Sequence, residues 1–504
     1  MADNKRIAKN TIFLYFRMII IMAVSFFTSR VVLDKLGVND YGLFNAVAGV
    51  VGMLAFLNNT LAKGTSRFLT FELGNGNMDK LKRTFSTAFF SHIMLMIIML
   101  VVLETAGIWF LNHKLVIPED RLWATHWVYQ FSLVTMCISM VQVPYTSSII
   151  SHEDMSLYAY LSIGEAIAKL LIVYILSVST FDKMVLYAAL LSSVQLLTFG
   201  VYYVFCRSRY VESALMRVFD KSIFKEMLGF CGWNTIAFLS ESLKLQGSNI
   251  LINMFFRPSL VAAQAVANQV TTTAMNFVYQ FTTALNPQII KSYAAGDYED
   301  SQQLTLQSTV FVFDLVLLIC LPLYYVIEPL LDIWLVEVPE MTVDFIRITL
   351  ISQVLGVFNV TFYTPMLASS KLKSNSMWGL YLGCGQFVVV YILYKFGYGV
   401  LCLPYILLLS TVIYAFYIKP RILYKEIGYK IKDMAICYWN CFKVLLPSVL
   451  IAAGINYLLT PETLIEQGVM LLSVVLSVLA CSFLFMEKSL RIRVIELIKN
   501  KIKR

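Results

Sequence analysis

Long apolar stretches recur along the whole chain, separated by short polar segments. Many stretches exceed 18 residues, which is the length an α-helix needs to cross a bilayer. They are continuous, whereas the strands of an outer-membrane barrel alternate apolar and polar residues. The pattern therefore predicts an all-α membrane protein of about 14 transmembrane helices. Their approximate limits are 11–33, 41–61, 84–111, 122–148, 158–178, 182–206, 225–254, 259–286, 305–334, 341–368, 376–395, 398–418, 443–460 and 467–487.

Composition agrees with a membrane protein. Of 504 residues, 59% are hydrophobic and 14% are charged, and the mean hydropathy is +0.72. The connecting loops are too short to hold a folded domain. The nine cysteines never form a CxxC pair and are interpreted as small packing residues rather than metal ligands. No cofactor is predicted, and the absence of a GxxxxGK[ST] motif excludes a built-in P-loop ATPase.

Lysine and arginine are distributed unequally between the two sets of loops. Of 40 such residues, 29 fall on one predicted side and 6 on the other. This bias predicts an even number of spans with both termini in the cytoplasm. The net charge of +9 then reflects topology and contact with membrane lipids, not nucleic-acid binding. Segments 419–443 and 486–504 are predicted to lie along the cytoplasmic surface, with plain stop-transfer charge as the alternative.

Three short matches recur in the same order at an offset of about 222 residues. Six predicted spans separate the two copies, so both copies have the same orientation in the membrane. A parallel repeat of this kind predicts a pseudo-two-fold axis along the membrane normal. The matches join residues 10–12 to 234–236, then Gly74, Ser86 and Thr87 to Gly296, Ser308 and Thr309, and finally Pro144 and Ser148 to Pro365 and Ser369.

The repeat divides the chain into three parts. Residues 1–218 are predicted to form an N-lobe of helices 1–6, and residues 219–419 a C-lobe of helices 7–12. Residues 420–504 would supply an amphipathic link, helices 13 and 14 and a basic cytoplasmic tail. Two lobes of this kind suggest a transport path between them that opens by alternating access.

Ionisable side chains inside the predicted spans are candidate transport residues, because such groups are costly in a bilayer and usually face a cavity. The basic and amide candidates for substrate binding are Arg17, Arg30, Lys169, Lys244 and Asn249. Each has a structural alternative. Arg17 can snorkel to the interface, Arg30 can pair with Asp34, and Lys169 can pair with the residue four positions before it.

Three acidic residues are candidates for coupling to an ion, either Na⁺ or H⁺: Glu165, Glu241 and Asp314. Glu241 is spaced three residues from Lys244 in the most polar span of the chain, and the two can simply neutralise each other. Asp314, whose repeat mate is His92, can equally have a hydrogen-bonded structural role. Cations in a water-accessible cavity favour an anionic lipid head group, but carboxylates are as numerous here, so both polarities of the path stay open.

The chain resembles the bacterial polysaccharide-biosynthesis flippases of the multidrug/oligosaccharidyl-lipid/polysaccharide exporter superfamily along nearly its whole length. The resemblance implies fourteen helices in two six-helix lobes plus two. The segments that carry it are SRVVLDKLGVNDYGLFNAVAGVV, TSRFLTFELGNGN, IPEDRLWATHWVYQFS, VPYTSSIISHEDMSLYAYLSIGEAIAKLLIVYIL and GWNTIAFLSESLKLQGSNILINMFFRPSLVAAQAVANQV.

The resemblance also implies a substrate, namely undecaprenyl-pyrophosphate-linked oligosaccharide moved across the bacterial inner membrane for O-antigen of lipopolysaccharide, capsule or exopolysaccharide. It suggests a polysaccharide polymerase as a further partner. Arg30, Glu165 and Lys169 fall in the matching segments, and we expect Arg30 to hold the lipid phosphate near the outer end of the path. The turn LGVNDYG after it is predicted to use Gly37 and Gly42 to ease the backbone.

Two rival functions are weighed. A cation-coupled drug or metabolite antiporter on the same fold would use Glu241 or Asp314 as its key carboxylate. The long link after residue 419 and the two additional helices argue against it. A lipid-linked glycosyltransferase or polymerase would need an active site in a large outer loop, and the outer loops here are short. The chain is therefore predicted not to be an enzyme.

Overall fold

A computed structural model describes residues 4–152, 154–227, 239, 242–369, 371–459, 461 and 463–485, and the regular elements among them are helical. Ten of the described helices are long and apolar enough to cross a membrane. The prediction of an all-α membrane protein is therefore confirmed. The full count of fourteen spans stays a prediction.

The first eight helices are α1 Asn4–Leu36, α2 Val38–Gly52, α3 Ala55–Asn75, α4 Met78–Val102, α5 Ile108–Lys114, α6 Leu122–Ser151, α7 Met155–Val178 and α8 Lys183–Arg209. A π-helical turn, Leu103–Gly107, joins α4 and α5 into one continuous rod. The predicted span 41–61 differs from the structure, because a turn at residues 53 and 54 separates α2 from α3. Helix α3 also extends well past residue 61, since hydropathy marks the apolar part of a helix and not its polar end.

The next ten helices are α9 Ser248–Phe255, α10 Pro258–Ala294, α11 Tyr298–Trp334, α12 Thr342–Thr361, α13 Tyr363–Ala368, α14 Lys373–Lys395, α15 Cys402–Ile413, α16 Lys419–Ile422, α17 Ile431–Leu459 and α18 Leu464–Phe485. A π-helical turn, Leu243–Gly247, leads into α9. Most of the predicted seventh span before this turn lies outside the described residues, as does the basic tail from residue 486.

The segment between residues 419 and 443 differs from the predicted surface link. Two further π-helical turns, Tyr414–Ile418 and Leu423–Ile427, flank α16 and make Cys402–Ile427 one continuous helix. The chain reverses at Gly428, whose φ is +95°, and α17 begins at Ile431. The basic residues of this segment therefore lie in two long helices and in the turn between them, because the helical pattern runs past the apolar core of each span.

The turns that end α3 and α10 have matching geometry. Gly76 and Gly296 both have a positive φ, of 69° and 83°. Each precedes an Asx side chain that caps the next helix: Asn77 accepts from the Lys80 amide at 3.0 Å, and Asp297 accepts from the Asp300 amide at 3.0 Å. Gly296 therefore corresponds to Gly76 and not to Gly74, because only a left-handed position needs glycine there.

The helices form two compact units. The first comprises residues 1–265, 335–340 and 379–400, and the second comprises the remaining residues. The core of the first unit includes Val47 of α2 and Val128 of α6, both fully buried. This core also includes Ile250 of α9, a helix that packs on α2. In the second unit, the buried ring of Phe358 in α12 packs at a tilt against Phe313 of α11 and Tyr438 of α17.

Candidate functional site

Helix α7 carries the predicted pair of opposite charges, and the structure brings them into contact. The Lys169 ammonium donates to the Glu165 carboxylate at 2.7 Å. The two side chains are 43% and 26% exposed, so an incoming group can reach both. Spacing of four residues places them on one face of the helix, as predicted. In this arrangement the two charges neutralise each other, and an anionic substrate would have to displace Glu165 to bind Lys169.

Helix α1 packs against α7 and carries two further cationic candidates, Arg17 and Arg30. Arg30 lies in the last third of α1 and is exposed. Asp34, predicted as its partner, forms an ion pair with Lys35 at 2.9 Å. The helix stops at Gly37, whose φ of +80° confirms the predicted turn glycine. Arg17 lies on the described helix, but its side chain lies outside what the structure describes.

Gly42 has a different role from the one predicted. It lies inside α2 with helical backbone, so it does not ease the turn. A Cβ at this position would lie 1.8 Å from the Pro258 carbonyl oxygen and 3.1 Å from the Ala262 amide nitrogen. Glycine is required because the backbones of α2 and α10 approach each other closely, as small residues allow between membrane helices.

The polar residues just before α9 and in its first turn pack against α2. Ser242 donates its hydroxyl to the Met53 carbonyl at 2.7 Å. Gln246 lies against Gly49 and Gly52 of α2. Asn249 is buried, and its side-chain oxygen has no hydrogen-bond partner within the described part of the chain. The polar face of this span therefore contacts α2.

Two candidate residues of this span lie wholly or partly outside the part of the chain that the structure describes. Glu241 lies outside the described residues, and so does the side chain of Lys244. Their predicted pairing stays a prediction.

Asp314 lies on α11 and faces the two C-terminal helices. Its carboxylate lies near Ser482 of α18 and Cys441 of α17. One oxygen, Oδ1, has no partner among the residues that the structure describes. The repeat mate His92 is fully buried in α4, where Nδ1 lies 2.9 Å from the Ala88 carbonyl oxygen.

A three-residue ion cluster, which sequence reasoning missed, ties together three segments of the first unit. Arg121 precedes α6, and its Nε donates to Asp40 of α2 at 2.9 Å. Its Nη1 donates to Asp182, the N-cap of α8, at 2.6 Å. Asp182 also accepts the Met184 and Val185 amides. The sequence shows only scattered charges here, since these partners are 61 and 81 residues from Arg121.

Lys419 also lies elsewhere than the sequence predicts. The pattern of apolar spans places it in a basic link along the membrane surface. It is 1% exposed and lies in the second unit. Its Nζ is 5.3 Å and 5.4 Å from the ring centroids of Tyr363 and Tyr414, and 3.9 Å from the Met366 sulfur. No carboxylate lies within 4 Å of it in the described ranges. Cation–π contacts replace an ion pair at this buried ammonium.

Comparison with known proteins places the fold. No protein-family model matches the chain, and no curated protein matches it. The structure is similar to the lipid II flippase MurJ in an inward closed conformation, at 12% identity, with a TM-score of 0.69 over 95% of this chain and 98% of that one. It is similar to an inward-facing multidrug resistance MATE family transporter of the MOP superfamily, at 14% identity, with a TM-score of 0.64 over 83% and 94%.

A third similar structure is a MOP superfamily transporter from Pyrococcus furiosus, described as having a binding pocket of reverse polarity. It is 14% identical, with a TM-score of 0.58 over 85% of this chain and 96% of that one. At such identities the likeness shows a shared fold. That likeness does not single out the polysaccharide flippases.

Proposed function

We propose that this protein is a transporter of the flippase type. It moves undecaprenyl-pyrophosphate-linked oligosaccharide from the cytoplasmic to the periplasmic leaflet of a bacterial inner membrane. The two predicted lobes alternate access to the path, and the product feeds surface polysaccharide such as O-antigen or capsule. Both termini are cytoplasmic in this proposal, as the charge bias of the loops predicts.

The observation that carries the proposal is the extent of the structural likeness. The lipid II flippase matches 95% of this chain and 98% of its own, whereas the multidrug transporter matches 83% of this chain. The chain has two C-terminal helices, α17 and α18, that pack on each other and on α11. A polyprenyl tail can remain in lipid while the charged head crosses, so only the head needs a polar path.

Within this proposal the cations of the first unit receive the pyrophosphate. Arg30 offers a guanidinium that can bind a phosphate through two parallel hydrogen bonds. Lys169 becomes available when the phosphate displaces Glu165, which lies 2.7 Å away. Arg17, Lys244 and Asn249 keep the substrate-binding roles that the sequence predicts.

The test is a flipping assay in liposomes that hold a labelled undecaprenyl-pyrophosphate oligosaccharide on one leaflet. An impermeant glycosidase on the other side reports arrival of the label. We expect the protein to accelerate arrival over empty liposomes. The double substitution Arg30→Gln and Lys169→Gln should slow it by about tenfold or more, since each lost charge-assisted hydrogen bond costs roughly 1.5–3 kcal/mol.

A matched control removes two exposed cations at helix ends instead. The double substitution Lys183→Gln and Lys395→Gln lowers the net charge equally and should leave the rate within about twofold. If both double variants slow flipping equally, the effect belongs to overall charge and not to a binding site. If wild-type protein gives no acceleration even under an ion gradient, the flippase proposal fails.

A cation-coupled antiporter is the second candidate, favoured by the structural likeness to MATE transporters. It moves small cations in exchange for Na⁺ or H⁺. Efflux of a fluorescent organic cation from the same liposomes, driven by an ion gradient and absent without one, would select it. The proposed polymerase partner belongs only to the flippase reading.

Coupling to an ion gradient is proposed to depend on Asp314, with Glu165 and Glu241 as further candidate carboxylates. We expect Asp314→Asn to abolish stimulation by an imposed Na⁺ or proton gradient while the basal rate changes less than about twofold, because the amide keeps the shape but loses the charge. Ser482→Ala removes the neighbouring hydroxyl and keeps the charge of Asp314, so stimulation should survive. Equal loss in both variants would assign Asp314 a structural role.

A further inference from the structure

A groove of about 560 Å³ lies between two helices of the second unit. One wall is the end of the continuous helix Cys402–Ile427, and the other is the first two turns of α17. The chain reversal at Gly428 joins the walls. By the charge bias of the loops, this end of both helices is the cytoplasmic one.

The floor of the groove is aromatic and apolar. The rings of Phe416 and Tyr438 lie 5.1 Å apart, and the Tyr438 hydroxyl donates to the Ala415 carbonyl at 2.7 Å. Because that hydroxyl is satisfied, the ring presents only an apolar surface. Met434 completes the floor and is buried.

The rim combines exposed apolar side chains with two cations. Tyr417, Tyr424 and Ile431 are each more than half exposed. Arg421 and Lys425 are exposed one turn apart on the same wall. The Arg421 guanidinium donates Nη1 to the Tyr417 hydroxyl at 2.8 Å, which holds it at the rim.

The two cations are not matched by acidic groups in the groove. Of the five donors on the Arg421 guanidinium, the described structure engages one. Lys425 has no carboxylate within 4 Å in the described ranges, and neither Glu426 nor Asp433 lines the groove. A cationic rim over an apolar floor complements a molecule with a phosphate at one end and a hydrocarbon chain at the other.

We propose that this groove binds one anionic phospholipid of the cytoplasmic leaflet. Its phosphate contacts Arg421 and Lys425, and one acyl chain lies over Phe416, Met434 and Tyr438. Basic pockets between transmembrane helices on the cytoplasmic side bind anionic lipid head groups in this way. The site does not depend on what the protein transports.

The test counts lipids bound to delipidated protein by native mass spectrometry. Phosphatidylglycerol is compared with phosphatidylcholine of the same acyl chains. We expect phosphatidylglycerol to bind about tenfold or more tightly, since each cation near an anionic lipid contributes about 1 kcal/mol. The double substitution Arg421→Gln and Lys425→Gln should remove that preference and leave the weaker binding of phosphatidylcholine unchanged.

Lys430→Gln with Lys432→Gln is the matched control, because both cations are exposed on the same turn but outside the groove. That variant should keep the preference within about twofold. Met434→Gln places a polar side chain in the floor of the groove and should weaken the binding of both lipids equally.

Three results would overturn the proposal. The first is equal affinity for the two lipids in wild-type protein. The second is an equal loss of preference in the control variant. The third is displacement of phosphatidylglycerol by millimolar inorganic phosphate, or by equimolar undecaprenyl phosphate, which would assign the groove to a free anion or to a transport substrate.

Discussion

Replacing Arg121 by alanine should lower the free energy of unfolding by about 2–4 kcal/mol. The guanidinium is half-buried and holds the carboxylates of Asp40 and Asp182 together. Without it, two partly desolvated like charges face each other, and removing one partner of a buried ion cluster costs about 3–5 kcal/mol. Because Arg121 is partly exposed to solvent, the expected cost is smaller than that for a fully buried cluster. Thermal or denaturant unfolding in detergent measures the change.

A control for Arg121 is available in the same unit. Arg257 pairs with Glu340 at 3.4 Å, but the two side chains are 76% and 63% exposed. Arg257→Ala should therefore cost less than about 1 kcal/mol. Arg121→Lys keeps the charge but loses the forked geometry, so its cost should fall between the two. Equal effects of Arg121→Ala and Arg257→Ala would show that the cluster adds nothing to stability.

The cost of Arg121→Ala should also depend on pH. Burial raises the pKa of Asp40, and the Arg121 charge opposes that rise. Without Arg121 the folded protein holds a proton on Asp40 more tightly than the unfolded chain does. Stability of the variant should therefore fall as the pH rises from about 4 to 7. A variant whose loss of stability is the same at both ends of this range would contradict the proposed cause.

Replacing Gly42 by alanine should lower the free energy of unfolding by about 1–3 kcal/mol, the usual cost of overpacking. The new methyl group would meet the Pro258 carbonyl 1.8 Å away, and this neighbour is backbone, which cannot rotate aside. Helices α2 and α10 must separate to accept it. Hydrogen exchange should become faster in the described amides of α2 and in the first turns of α10.

The matched control is Gly164→Ala on α7, where a Cβ would meet nothing within 4 Å. Alanine in an open helix interior should stabilise the protein by about 0.5–1 kcal/mol. The clash is absent from a conformation in which α2 and α10 are apart. Gly42→Ala should therefore increase the population of that conformation relative to the packed one. Identical unfolding and exchange in the two variants would show that the close approach carries no energetic weight.

Local pattern was sufficient for several features of the molecule. The all-α membrane fold follows from apolar stretches of about 20 residues, since a bilayer leaves unpaired backbone groups no water to bond. The turn at Gly37 and the Glu165–Lys169 pair follow from short-range geometry. Each of these depends on residues no more than one or two helical turns apart, which a sequence displays directly.

Only the tertiary structure showed which residues contact each other across the fold. The sequence by itself determined that the chain has long membrane helices and a biased charge distribution. It left Arg121 without its partners, placed Gly42 in a turn, and counted Lys419 among solvated cations. The reason is physical. Helix packing joins residues that are tens to hundreds of positions apart, and no local periodicity records which faces meet.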